Sequence, residues 1–143
     1  MEAIPNYPTC FVCGDKNEKG LKVPFYYADG KARAEYIPSR EYEGYKDILH
    51  GGIISSLLDE VMIQSIIARG ILTFTIQIDI KFKAPAKIGE KILLEGYIVQ
   101  DKGKIIVTEG SVFKQDGTVI AEAKGKYFRP EGKRKKELEQ KRK

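Results

Sequence analysis

The residues best suited to chemistry lie together in DILHGGIISSLLDE, residues 47–60, which holds the chain's only histidine. His50 stands directly before Gly51 and Gly52, at the head of an apolar segment. If that segment is a helix, its first backbone N–H groups have no intrahelical acceptor and carry the positive end of the helix dipole. Glycine lets another atom approach such a backbone closely. The pair could therefore hold an anion or a developing oxyanion, such as the carbonyl oxygen of a thioester under attack. A glycine loop entering a helix without chemistry is the plain alternative. Asp59 shifts the balance, because a carboxylate in the middle of an apolar segment is costly unless it is used. Ser55 and Ser56, four and three residues earlier, share its helix face and keep the space beside it small and polar. Glu60 is expected to reach solvent or a salt bridge from the helix edge.

Spacing says something about assembly. Nine residues of ideal helix amount to about 13.5 Å of rise and about 180° of rotation, so His50 and Asp59 of one chain cannot act on one small group. If both are catalytic, the glycine end of one helix must meet the Asp59 of another, giving two equal sites across a two-fold dimer.

Cys10 and Cys13, in CFVCG, are the only cysteines. A Cys-x-x-Cys pair supplies two ligands where structural zinc usually takes four, and a second pair would have to come from another chain. Thioredoxin-type redox chemistry would want a strand-to-helix setting that is missing here. The pair is expected to be reduced and structural, without a metal.

The elements that must position these groups follow from periodicity. Runs at 21–28 and 31–37 flank Asp29-Gly30, a type I′ turn signal, and predict a hairpin. Residues 38–49 read as a loop. From Gly51 to about Arg69, apolar residues recur at helical spacing up to Gly70, a natural stop. Nine of the fifteen residues from Ile53 to Ile67 are large and apolar. They cover most of the circumference, so this helix must be buried on several sides. FTIQIDIKF, residues 74–82, alternates, with Phe74, Ile76, Ile78, Ile80 and Phe82 expected on one face and Thr75 on the other. Three further strands, near 91–100, 104–114 and 118–128, are separated by Asp101-Lys-Gly103 and Gln115-Asp-Gly117. The sum is an α+β chain, an antiparallel sheet around one central helix.

The chain has 143 residues, 42% hydrophobic and 31% charged. That predicts one domain over 1–131, with a Cys-x-x-Cys segment at 1–20 and a basic, flexible or weakly helical tail at 132–143. The net charge of +5 sits in that tail, where residues 133–143 carry seven basic and two acidic side chains. A nucleic-acid role is therefore not expected, since the rest of the chain is neutral. Charged and polar residues break the apolar segment, so no membrane span is expected. The opening MEAIPNYPTC lacks a basic start and an apolar run, and a cytoplasmic protein is the expectation.

In YEGYKDILHGGIISSLLDE, followed by a strand ending in FKAPAKIGEKI, and in its CFVCG…GL opening, the chain resembles the hotdog-fold thioesterases, and within them the PaaI-type acyl-CoA thioesterases. The resemblance covers residues 10–129. It implies a hotdog fold, with a curved antiparallel sheet of about six strands wrapped around one long helix. It implies hydrolysis of an acyl-CoA to free acid and coenzyme A, with no cofactor beyond the coenzyme A of the substrate. Dimers would join their sheets edge to edge, and in many relatives pair again into tetramers. By the same resemblance the Gly52 N–H, with Gly51, would polarise the carbonyl while His50 orients the loop or the substrate. Asp59 of the partner would be nucleophile or general base. Thr75 and Ser56 would line the substrate site. Gly44 occupies the place where many PaaI-type enzymes have an asparagine that contacts the thioester or the water, a departure that leaves acyl preference open. A non-catalytic acyl-CoA-binding hotdog domain is the rival reading, and a hotdog dehydratase ranks below both.

Overall fold

In a computed structural model, which describes residues 1–142, the strands are β1 (Glu2–Ala3), β2 (Tyr26–Ala28), β3 (Lys31–Tyr36), β4 (Phe74–Phe82), β5 (Ile92–Asp101), β6 (Ile105–Lys114) and β7 (Val119–Phe128). Helix α1 spans Gly51–Ile67 and α2 spans Gly132–Lys141, with a 3-10 turn at Arg40–Tyr42. The strands form one antiparallel sheet in the order β1-β2-β3-β5-β6-β7-β4. Helix α1 lies against its inner face. This is the hotdog arrangement. No described helix is long and apolar enough to cross a membrane.

The seventh strand is β1, two residues that no sequence pattern marks. The first hairpin is shorter than expected. Asp29 and Gly30 both take positive φ, 53° and 76°, as a type I′ turn requires, but β2 begins only at Tyr26. Leu21 and Val23 instead bond to Phe11 and Val12 of the N-terminal segment, and Pro24 has no N–H for a ladder. That segment is thereby stitched into the core, with Val12, Cys13, Leu21, Val23 and Phe25 all buried.

Helix α1 is buried as its all-round apolar surface demands: Ile54, Leu57, Leu58, Val61, Met62 and Ile66 contact little or no solvent. The sheet approaches it through glycines. Gly96 of β5 pairs with Gly110 of β6, and Gly125 of β7 lies one strand further, opposite Thr108. A Cβ on Gly96 would stand 2.6 Å from the Val61 carbonyl oxygen, one on Gly110 would press on Met62, and one on Gly125 would come 2.7 Å from the Tyr127 ring and 3.1 Å from Met62. Glycine in a strand here serves close approach rather than a turn.

The alternation of β4 is broken by a bulge. Thr75 pairs with Tyr127 and Gln77 with Lys126, which leaves Ile76 as the extra residue. Residues opposite each other share a face, so Thr75 lies with Ile78, Ile80 and Phe82 on the side of Gly125, Ala123 and Ala121. The expected opposition of Thr75 to those residues is corrected by that one-residue insertion. β4 is also a sheet edge, and Phe74, Ile76 and Phe82 on it are 40%, 54% and 55% exposed. The basic tail forms α2, which buries nothing, with Arg134 over the Phe128 ring.

The Gly96 contact is with main chain, which cannot rotate away. Gly96→Ala is expected to lower unfolding free energy by about 1–3 kcal/mol, measured by urea denaturation.

Candidate active site

The site is built on α1 and on the two strands flanking its exposed side. His50 is the N-cap, with extended backbone angles, and its Nδ1 accepts a 2.8 Å hydrogen bond from the Gly52 N–H. The Gly52 donor that the sequence assigns to a substrate carbonyl is therefore already engaged. The N–H groups of Ile53 and Ile54 both reach the His50 carbonyl. Gly51 is the first-turn residue whose N–H meets no acceptor among the described residues, and it is exposed. Gly44 packs on His50, where a Cβ would come 3.2 Å from the His50 Cα, so this glycine keeps room for the cap. Ser55 and Ser56 donate back to the Gly51 and Gly52 carbonyls at 2.9 and 3.0 Å.

Asp59 is half-buried, at the other end of this stretch. Its Oδ1 accepts from the Tyr127 hydroxyl at 2.9 Å and from Thr75 Oγ1 at 3.0 Å. Burial, and then the nearby Asp59 charge, push the Tyr127 phenol far above its ordinary value, so it remains a donor. One carboxylate oxygen is thus held by two hydroxyls from adjacent strands. The bulge at Ile76 is what turns Thr75 toward it. Tyr127 is the residue sequence reasoning missed. Alternation in VIAEAKGKYF could have set it on the inner face, but nothing local says what it meets there.

Along the exposed side of α1, β4 spans the distance between the two groups. Phe82 lies beside Gly51, where a Cβ would sit 3.7 Å from its ring, while Thr75 lies beside Asp59. Within one chain, the glycine end and the carboxylate end therefore stay apart.

Glu60 departs from expectation. It makes no salt bridge among the described residues; its Oε1 lies 3.6 Å from Cys10 Sγ and its Oε2 accepts from Gln64 Nε2 at 2.6 Å. Burial first, and then Cys10, raise its carboxyl to about 7. Cys10 and Cys13 are free thiols. The hydrogen bond between them holds the Cys10 thiol below its usual value and, together with burial, raises Cys13.

A groove of about 800 Å³ elsewhere, lined by Asp79, Lys81, Tyr97, Glu109 and Lys124 among others, contains none of these residues. Asp79, Lys124, Glu109 and Tyr97 lie directly across from one another on the sheet's outer face, with Tyr97 bonded to Glu109. Opposite charges face each other across that groove, and it lies apart from α1.

The family model of the thioesterase superfamily matches residues 46–121, from the approach to the histidine to the start of the last strand. The chain belongs to that superfamily. A putative esterase of Archaeoglobus fulgidus is 30% identical over 101 residues, spanning 71% of this chain and 66% of the relative. Human acyl-coenzyme A thioesterase 13 is 25% identical over 100 residues, spanning 68% of this chain and 71% of the relative. The crystal structure of a thioesterase superfamily protein superposes with a TM-score of 0.79 at 26% identity, covering 82% of this chain and 62% of that one. The chain thus spans slightly less than two thirds of the Archaeoglobus protein and of the superfamily structure.

Tyr127→Phe leaves the ring and removes the buried donor to Asp59. It should cost about 1–3 kcal/mol in urea unfolding, and Thr75→Ala, at an exposed donor, well under that.

Proposed function

We propose that the protein is a thioester hydrolase acting on an acyl-CoA, with Asp59 as the reactive carboxylate. The observation that carries this reading is a half-buried carboxylate in the middle of the central helix, held on one oxygen by Tyr127 and Thr75 while the other oxygen has no hydrogen-bond partner among the described residues. The kinship with an acyl-coenzyme A thioesterase and a putative esterase supports the same class. In this reaction water attacks the thioester carbonyl while Asp59 takes its proton, and the tetrahedral oxyanion rests on the Gly51 N–H. Collapse expels the coenzyme A thiolate, which receives that proton back from Asp59. If Asp59 instead attacks directly, coenzyme A leaves as an anhydride forms, and water then opens the anhydride at the Asp59 carbonyl. Single turnover in labelled water separates the two, because that opening leaves the label in the Asp59 carboxylate, whereas the general-base route puts it in the released acid. His50 orients the first turn, and it releases the Gly52 N–H as a second donor if the substrate displaces its Nδ1. Thr75, Ser56 and the space beside Gly44 border the substrate.

The working unit is a homodimer. Antiparallel pairing of two β4 edges about a two-fold near Ile78 would bring the Phe82 and Gly51 end of one chain against the Thr75 and Asp59 end of the other. The unpaired edge and its exposed Phe74, Ile76 and Phe82 support that pairing. The engaged Gly52 N–H favours one rival, an acyl-CoA-binding domain that does not hydrolyse.

Catalysis separates the two readings. Over a panel of acyl-CoAs, with released thiol as the signal, Asp59→Ala should lower kcat at least about 100-fold while binding persists, and an unchanged rate would remove the hydrolase. Gly51→Pro fits the first helical position and the extended backbone of His50, deletes the free N–H, and should cost about 100-fold or more. Mixing Asp59→Ala and Gly51→Pro chains should restore about a quarter of wild-type activity, because each mixed dimer keeps one intact site. No recovery from freely exchanging chains would put both groups in one subunit.

A further inference from the structure

The N-terminal Cys-x-x-Cys turn and the helix residue next to Asp59 form a cluster that thioester chemistry does not use. The Sγ atoms of Cys10 and Cys13 and a carboxylate oxygen of Glu60 all lie within 4.8 Å of one another. We propose that Cys10, Cys13 and Glu60 are a metal site for a thiolate-preferring divalent cation, Zn²⁺ foremost, which fastens the N-terminal segment to the central helix.

The geometry fits such an ion. Tetrahedral zinc with bonds of about 2.3 Å to sulfur and about 2.1 Å to a carboxylate oxygen holds that sulfur and oxygen about 3.6 Å apart. Cys10 Sγ and Glu60 Oε1 are 3.6 Å apart. The turn is shaped around the first sulfur: the Cys13 N–H points at Cys10 Sγ at 3.4 Å, and the Gly14 N–H bonds the Cys10 carbonyl at 3.0 Å. Only glycine fits after the second cysteine, since a Cβ on Gly14 would lie 2.5 Å from both the Cys10 nitrogen and the Pro8 oxygen. Asn6 Nδ2 braces the Cys13 carbonyl at 3.0 Å. On the helix side Gln64, almost wholly buried, donates to the Glu60 oxygen that faces away from Cys10, and so aims the other at the sulfurs. The Gln64 Oε1 is itself buried without a partner among the described residues, so this side chain is kept there at a cost.

Charge gives the reason for the ion. Two thiols and a carboxyl converge, and no described Lys, Arg or His pairs with Glu60. Ionised together they would be an uncompensated negative cluster in a partly buried position. A divalent cation neutralises them, and the thiol and carboxyl protons pass to solvent as it binds. Sequence counts only two ligands here; the third comes from a helix 47 residues later, and the fourth position is left for water or another donor.

The test uses the full chain, reduced and stripped with a chelator, then titrated with Co²⁺. The expected result is a near-ultraviolet sulfur-to-cobalt band, with the intense visible bands of tetrahedral cobalt, saturating at about one ion per chain and abolished by Zn²⁺. Cys10→Ser and Cys13→Ser should each weaken the sulfur band, and Glu60→Gln should keep it while loosening the metal about 10- to 100-fold. Removing zinc from the wild-type protein should lower Tm by roughly 5–10 °C. The proposal is overturned if the wild-type chain develops no sulfur band with Co²⁺, or if the double cysteine variant titrates like wild type. It is also overturned if non-reducing isolation yields an internal disulfide, two hydrogens lighter. None of these readouts depends on the hydrolase reading.

Discussion

The distance between α1 and the sheet governs everything else in this molecule. Gly96, Gly110 and Gly125 leave the sheet without side chains where the helix backbone and Met62 press on it. With the helix seated that low, the Tyr127 hydroxyl at the end of β7 reaches both the carbonyl and the carboxylate of Asp59. A larger residue in that row would lift the helix and separate the hydroxyl from the carboxylate. The buried contacts that stabilise the fold and the bond that orients the Asp59 carboxylate are therefore one arrangement. A core of this density transmits such a shift rather than absorbing it.

The same helix presents two polar positions on its uncovered side. At its start, a Gly51 N–H unpaired among the described residues and a histidine cap offer positive potential. Two and a half turns on from the cap lies the Asp59 carboxylate. β4 runs beside both and is the last strand of the sheet, so one chain keeps the two groups apart along an open edge. Assembly through that edge would satisfy the strand and the site together.

The N-terminal segment shows a third use of the helix. Residues 10–25 are tied to one another by backbone bonds from Leu21 and Val23 to Phe11 and Val12, and they meet α1 where Cys10 approaches Glu60. Asp59 and Glu60 are neighbours in sequence, yet one faces the β4 edge and the other the cysteine turn. A helix turns about 100° per residue, so adjacent carboxylates serve different surfaces.

Much of this was legible locally. The all-round apolar helix, the strands and their turns, the cap at His50 and the isolation of Asp59 in apolar sequence follow from 3.6- and 2-residue periods and from the cost of stranding a charge. Even the separation of His50 from Asp59 is a property of helix geometry alone. What sequence could not contain is contact between distant segments. The bulge at Ile76 that turns Thr75 to Asp59, the pairing of Tyr127 with Asp59 and the meeting of Cys10 and Cys13 with Glu60 each join residues 16 to 68 positions apart, or depend on a strand partner. The capture of the Gly52 N–H by His50 is local, yet it rests on a side-chain rotamer that residue type does not specify. Periodicity determined which faces the residues occupy, and only the closed sheet decided which side chains meet there.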